Sequence, residues 1–166
     1  LAGKHQEVEI EVFGERIRRK DEFYTFHKLG AFGADLSCLS YFFEIPWHKP
    51  TPGLVENAKA GVLSWAGFAL RALGRLGEAL EPMKAGLEMR ILQKNWKEAA
   101  INASNISELL LTLGDLKQAL DYGKQCVDYA DKNGDDFEME SDRTTYADAL
   151  FQAGKVKQAE ALFTEA

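Results

Sequence analysis

One segment, repeated at an even interval, constrains this chain more than any other feature. Leu73-Gly74-Arg75-Leu76-Gly77-Glu78-Ala79-Leu80, Leu113-Gly114-Asp115-Leu116-Lys117-Gln118-Ala119-Leu120 and Ala153-Gly154-Lys155-Val156-Lys157-Gln158-Ala159-Glu160 align without gaps, and the interval from Gly74 to Gly114 is the same as that from Gly114 to Gly154. A weaker copy, Leu29-Gly30-Ala31-Phe32, precedes the first at a slightly longer interval. A fixed period of about 40 residues is the mark of stacked supersecondary units, each unable to bury its apolar face alone.

Each unit reads as helix, glycine turn, helix. Before Gly114, Ala99, Ala103, Ile106, Leu110 and Leu113 fall at 4-3-4-3 spacing, one stripe of a helix. After it, Leu116, Ala119, Leu120, Gly123, Cys126, Val127 and Ala130 form another. Gly74 and Gly154 have the same flanks. Glycine belongs at the turn because a helix commonly closes on a left-handed residue, which costs glycine least. Small residues recur at fixed offsets: Gly67, Ser107 and Ala147 seven before the turn, Ala79, Ala119 and Ala159 five after it, and Gly86, Cys126 and Ala166 twelve after it. Leu70, Leu110 and Leu150 stand four before it. Small side chains at repeated positions let helix axes approach, and the leucine fills the space between them.

Positions 1–55 are less regular. Val8, Ile10 and Val12 alternate with acids as a strand would, yet Ile10, Phe13 and Ile17 fit a helical stripe, and a helix continuing into Asp21–Lys28 is expected. A second helix is expected over Phe32–Phe43, ending before Pro46. The window 46–53 holds three of the four prolines and reads as a loop. Pro82, inside a second helix, should bend that helix or delay its regular start. The organisation is thus a divergent helical pair with a Pro-rich loop over 1–55, then repeats over 56–95, 96–135 and 136–166. The chain opens at Leu1 and stops at Ala166 inside an expected helix, so the last repeat is expected to be truncated and the protein to be longer.

These residues resemble the tetratricopeptide repeat, W-x2-L-G-x2-Y, then A-x3-F, then Pro. The chain keeps the small and large positions of the first helix and the Ala of the second. It departs at the Trp (Leu63, Ala103, Arg143) and at the final Pro (Ile91, Asp131). Its period also exceeds the usual value of roughly 34. It is similar to the long-period repeats found beside regulatory NTPase modules in large bacterial proteins; HEAT-type repeats, of similar length, are the alternative. The resemblance implies an all-α, right-handed α-α superhelix (solenoid) of helix-turn-helix hairpins. It implies a concave groove, lined by the first helices, that takes a partner protein or peptide. Read from the turn glycines, the groove residues are Ser64, Phe68 and Arg71, then Asn105, Glu108 and Thr112, then Thr145, Asp148 and Gln152. Phe68 is the strongest candidate, as an aromatic off the apolar stripe. Glu108 and Asp148 imply a partner with basic residues and apolar anchors. The Lys/Asn/Lys/Arg set with which chaperone-type arrays clamp a terminal carboxylate does not stand at these positions.

Other chemistry finds little support. His5, His27 and His48 lack a His or Cys at zinc-ligand spacing. Asp131, Asn133, Gly134 and Glu140 partly fit a calcium loop, but its first position is Tyr129, and an inter-repeat turn is expected instead. Trp47-His48, beside prolines, reads as an anchor for its loop. No nucleophile motif, G-x-G-x-x-G or phosphate loop is present. The expected function is therefore non-enzymatic, with no cofactor and no metal. Twenty basic against 26 acidic residues exclude a generally basic surface, and Glu15, Asp21 and Glu22 flank the run Arg16, Arg18, Arg19, Lys20, so no nucleic-acid partner is expected. No apolar run approaches the roughly 18 residues of a membrane span, and no membrane partner is expected. Two isolated cysteines, Cys38 and Cys126, fit a reduced, cytoplasmic setting. Two rival functions remain: a sensor arm of a larger signalling NTPase, and self-assembly. The second would be a homodimer through the C-terminal stripe Ala159, Leu162, Phe163 and Ala166.

Overall fold

Helix of one kind or another covers 78% of the described residues. The structure is a computed structural model that describes residues 4–165; Ala166 of the expected C-terminal stripe lies outside them. The chain divides into two compact units, Leu1–Met89 and Arg90–Ala166, so the first hairpin belongs with the N-terminal segment.

In the first unit, helix α1 (His5–Glu7) runs into a π-helical segment, Val8–Ile17. Its winding is wider than 3.6 residues per turn, which breaks the expected stripe: Phe13 is buried against Phe42 while Ile10 is exposed. The expected continuation into Asp21–Lys28 does not form. Arg19, Lys20 and Phe23 adopt left-handed backbone, a 3-10 turn covers Lys20–Glu22, and only the short α2 (Tyr24–His27) follows. Helix α3 (Phe32–Ser40) stops short of the expected Phe43. The fold is mostly helical, as expected, with one addition, a small β-hairpin: β1 (Phe43–Ile45) pairs antiparallel with β2 (Lys49–Pro50), the second strand inside the window read as a loop. Three prolines masked it. Trp47, left-handed at the turn, packs edge-on to Phe43, with ring centres 5.4 Å apart.

Helices α4 (Glu56–Ala72) and α5 (Leu76–Leu92) form the first hairpin, and α5 runs unbroken through the buried Pro82. A Cβ built on Gly67 would collide with Met83 Cγ and stand 3.1 Å from the Ala79 carbonyl oxygen, so the close approach of the two helices requires glycine there. The start of α4 has no side-chain cap of its own; the Val55 N–H donates instead to Gln6 Oε1 at 2.8 Å.

The second unit is built on α6 (Trp96–Leu113), α7 (Leu116–Asn133), α8 (Asp136–Gln152) and α9 (Val156–Glu165). Helix α6 packs on α7, α7 on α8 and α8 on α9, and α6 also touches α8. Asn95 and Asp135, one period apart, cap the two first helices, accepting from the N–H groups of Glu98 (3.3 Å) and Glu138 (3.1 Å). Gly74, Gly114 and Gly154 are left-handed as the pattern predicts. The residue after each donates its N–H to the carbonyl of Leu70, Leu110 or Leu150 at 2.9 Å, one helix-ending device used three times. Gly134 is left-handed between α7 and α8, and one period earlier Lys94 holds the same conformation without being glycine. The stretch read as an inter-repeat turn is one: Asp135 caps α8, and Asp131 takes the Arg143 guanidinium at 2.8 Å.

Candidate functional site

The nine groove residues fall into two groups. Ser64, Phe68 and Arg71 belong to the first unit, and the geometry there differs from the expectation. Ser64 is half-buried, donates to the Ala60 carbonyl at 3.0 Å, and faces α5: its Oγ would lie 2.6 Å from a Cβ on Gly86. It belongs to the hairpin interface. Ser64 stands ten positions before its turn glycine, whereas Asn105 and Thr145 stand nine before theirs. One residue is about 100° of helix rotation, and a constant offset selects Trp65 instead.

Phe68 is likewise no open anchor. Its half-buried ring joins a cluster with Phe26 (5.5 Å), Phe32 (6.4 Å) and Trp65 (6.1 Å). Trp65 also stacks on Phe26 at 5.2 Å, and the Arg18 guanidinium lies 5.1 Å from its ring centre. The N-terminal segment therefore covers this face of α4, an arrangement that the period of the repeats could not announce. Arg71 is half-buried near the end of α4.

In the second unit, Thr145 accepts from Ser104 Oγ at 3.1 Å and is part of the α6–α8 contact. Asn105 is half-buried and donates to the Ile101 carbonyl at 2.9 Å. Glu108 is half-buried, while Thr112, Asp148 and Gln152 are exposed. Thr112 Oγ1 donates to the Glu108 carbonyl, and Gln152 Nε2 to Asp148 Oδ2, each at 2.9 Å. The surface bearing them is acidic: Arg90–Ala166 holds fourteen acidic and nine basic side chains, so nearly all of the chain's net charge of −6 lies in this unit.

One buried group here escaped sequence reasoning. Asp142 of α8 is 3% exposed and its Oδ2 has no partner. Burial pushes its carboxyl up to about 6, hydrogen bonding from Ser104 and Cys126 partly offsets this, and the neighbouring Glu138 charge adds to it. Cys126 of α7, also buried, contacts the Asp142 carbonyl at 3.6 Å, and burial together with the Asp142 charge pushes its thiol far up. A thiol held neutral is a poor nucleophile. The available signal was the register: Asp142 occupies the position of Val62 and Asn102, two periods and one period earlier, both buried. Among the described residues no group of three or more His, Cys, Asp or Glu is placed to hold a metal ion. No helix among them is long and apolar enough to cross a membrane.

No protein-family model matches the chain, and no curated protein matches it. The tetratricopeptide resemblance accordingly rests on the residues themselves.

Proposed function

We propose that this chain is a non-enzymatic protein-interaction module of tetratricopeptide type, whose hairpins form a right-handed superhelix that receives a segment of a partner protein. The observation that carries the reading is in the second unit. There α6 and α8 share the register of the repeat, touch one another, and leave Thr112, Asp148 and Gln152 exposed beside the half-buried Glu108. Side chains of rigid helices present such a surface at little entropic cost, which is what a preformed binding face needs. The acid excess of this unit favours a partner with Lys or Arg. A reduced, cytoplasmic setting belongs to the same proposal.

The test is a quantitative pull-down from source-cell lysate with wild type and a Glu108→Arg, Asp148→Arg variant in parallel. A partner retained by wild type and lost by the variant supports the reading. Partners indifferent to both substitutions would move binding away from this face.

A further inference from the structure

The N-terminal segment does more than shield α4. By the register of the repeat, the residues of α4 that correspond to Asn105 and Glu108, both expected to line the groove, are Trp65 and Phe68. These two positions are occupied from within the chain. Phe23 lies 5.1 Å from Trp65, and Phe26 stacks on Trp65 at 5.2 Å and meets Phe68 nearly at right angles at 5.5 Å. The Arg18 guanidinium lies 5.1 Å from the Trp65 ring centre. A cation and two aromatic rings thus fill these positions as a bound partner segment would.

The segment is held there under strain. Arg19, Lys20 and Phe23 are left-handed without being glycine, at φ 57°, 52° and 44°, and such backbone is an outlier for a bulky residue. Arg18 Nε is buried with no hydrogen-bond partner, and the buried Thr25 and Asp35 face one another without closing a full hydrogen bond. Strain and orphaned polar groups gathered along one contact mark it as easier to open than a core. The flanks are tied down separately: Phe13 packs on Phe42 at 6.0 Å, and α3 packs on α4. Residues 18–30, ending at the left-handed Gly30, can therefore lift as a strap between two fixed ends.

We infer that residues 18–30 are a displaceable in-chain ligand of the α4 face, and that Trp65 and Phe68 anchor a partner segment bearing an arginine and aromatic side chains. The chemistry of that partner is read from the occupant it replaces. Trp65 takes a guanidinium and a stacked ring together, and Phe68 takes the same ring at right angles. The apparent affinity for the partner is then its intrinsic affinity scaled by the fraction of chains whose strap has lifted. Substitutions that loosen the strap tighten binding in trans, and those that relieve its strain keep it closed. An ordinary core segment has neither property. The inference rests on the proposed function only for the register of the repeat. It stands on the first unit and needs neither Glu108 nor Asp148, so either reading can fail without the other.

The test uses the full chain and a fluorescein-labelled peptide of residues 16–31, with a control peptide bearing Phe23→Ser and Phe26→Ser. Anisotropy titrations compare wild type, Phe23→Ser, Phe23→Ser/Trp65→Ala and Glu108→Arg. The Phe23→Ser chain, its strap loosened, is expected to bind the peptide at least about tenfold tighter than wild type, the order set by withdrawing one half-buried phenylalanine. Adding Trp65→Ala should lose that gain, the control peptide should bind about tenfold or more weakly, and Glu108→Arg should match wild type within about threefold. Hydrogen exchange on wild type gives a readout that needs no core substitution. The His27 and Ala31 amides, bonded to the Phe23 and Thr25 carbonyls, should exchange at least about a hundredfold faster than those of Ala66 and Leu70 in α4. Arg19→Gly/Lys20→Gly, at two exposed positions, should slow them by about fivefold. A peptide that binds wild type and Phe23→Ser alike, or that ignores Trp65→Ala, overturns the inference. So does strap exchange at the rate of α4, or a Phe23→Ser chain that loses the first hairpin by circular dichroism, since either makes the segment part of the core.

Discussion

Replacing Asp142 by Asn should flatten the pH dependence of stability. The folded-state carboxyl titrates at about 6 against an ordinary 3.8, and burial is the main cause. A raised folded pKa means that the native chain takes up a proton before the unfolded chain does, so acidification through this window stabilises the fold. Integrating between the two values, this one group adds about 1.3 kcal/mol on passing from pH 7 to pH 5. In Asp142→Asn that gain is absent. The stability of the variant at pH 7 is harder to fix, because the amide relieves a buried charge but places two donors where Oδ2 had no partner. The slope decides the matter. Urea unfolding followed by circular dichroism at pH 5, 6, 7 and 8 should show wild type gaining about 1 kcal/mol relative to the variant between pH 7 and pH 5. A constant difference across that range, or a wild type that loses ground on acidification, would refute the burial argument.

Two glycines of the first hairpin should respond in opposite senses. Gly67→Ala pushes a methyl into Met83 and the α5 backbone and should lose about 1 kcal/mol net of the helix-propensity gain, whereas Gly77→Ala, with nothing within 4 Å, should gain up to about 1 kcal/mol; thermal melts of both separate packing from propensity. Lys94→Gly, which relieves a left-handed backbone at φ 55°, should raise stability by about 1 kcal/mol, and Gly134→Ala at the equivalent turn should lower it by a similar amount in urea unfolding.

The sequence by itself determined the helices of the repeats and how each hairpin closes. Gly74, Gly114 and Gly154 mark left-handed ends because the geometry of a helix terminus is local, and local geometry is written in single residues. Gly67, Ala79, Ser107 and Ala119 marked the close approaches because a fixed period imposes the same packing on each copy. Where no repeat supports the reading, the tertiary structure decided. In the N-terminal segment, π winding and the left-handed Arg19, Lys20 and Phe23 break the first expected helix before Asp21–Lys28, and a short β-hairpin follows the second, which ends at Ser40, since long-range contacts there outweigh weak local preferences. The same contacts reassigned the candidate site. Phe68 looked like an exposed anchor from its place on α4, but Phe26, Phe32 and Trp65 surround it, the first two from a segment distant in sequence.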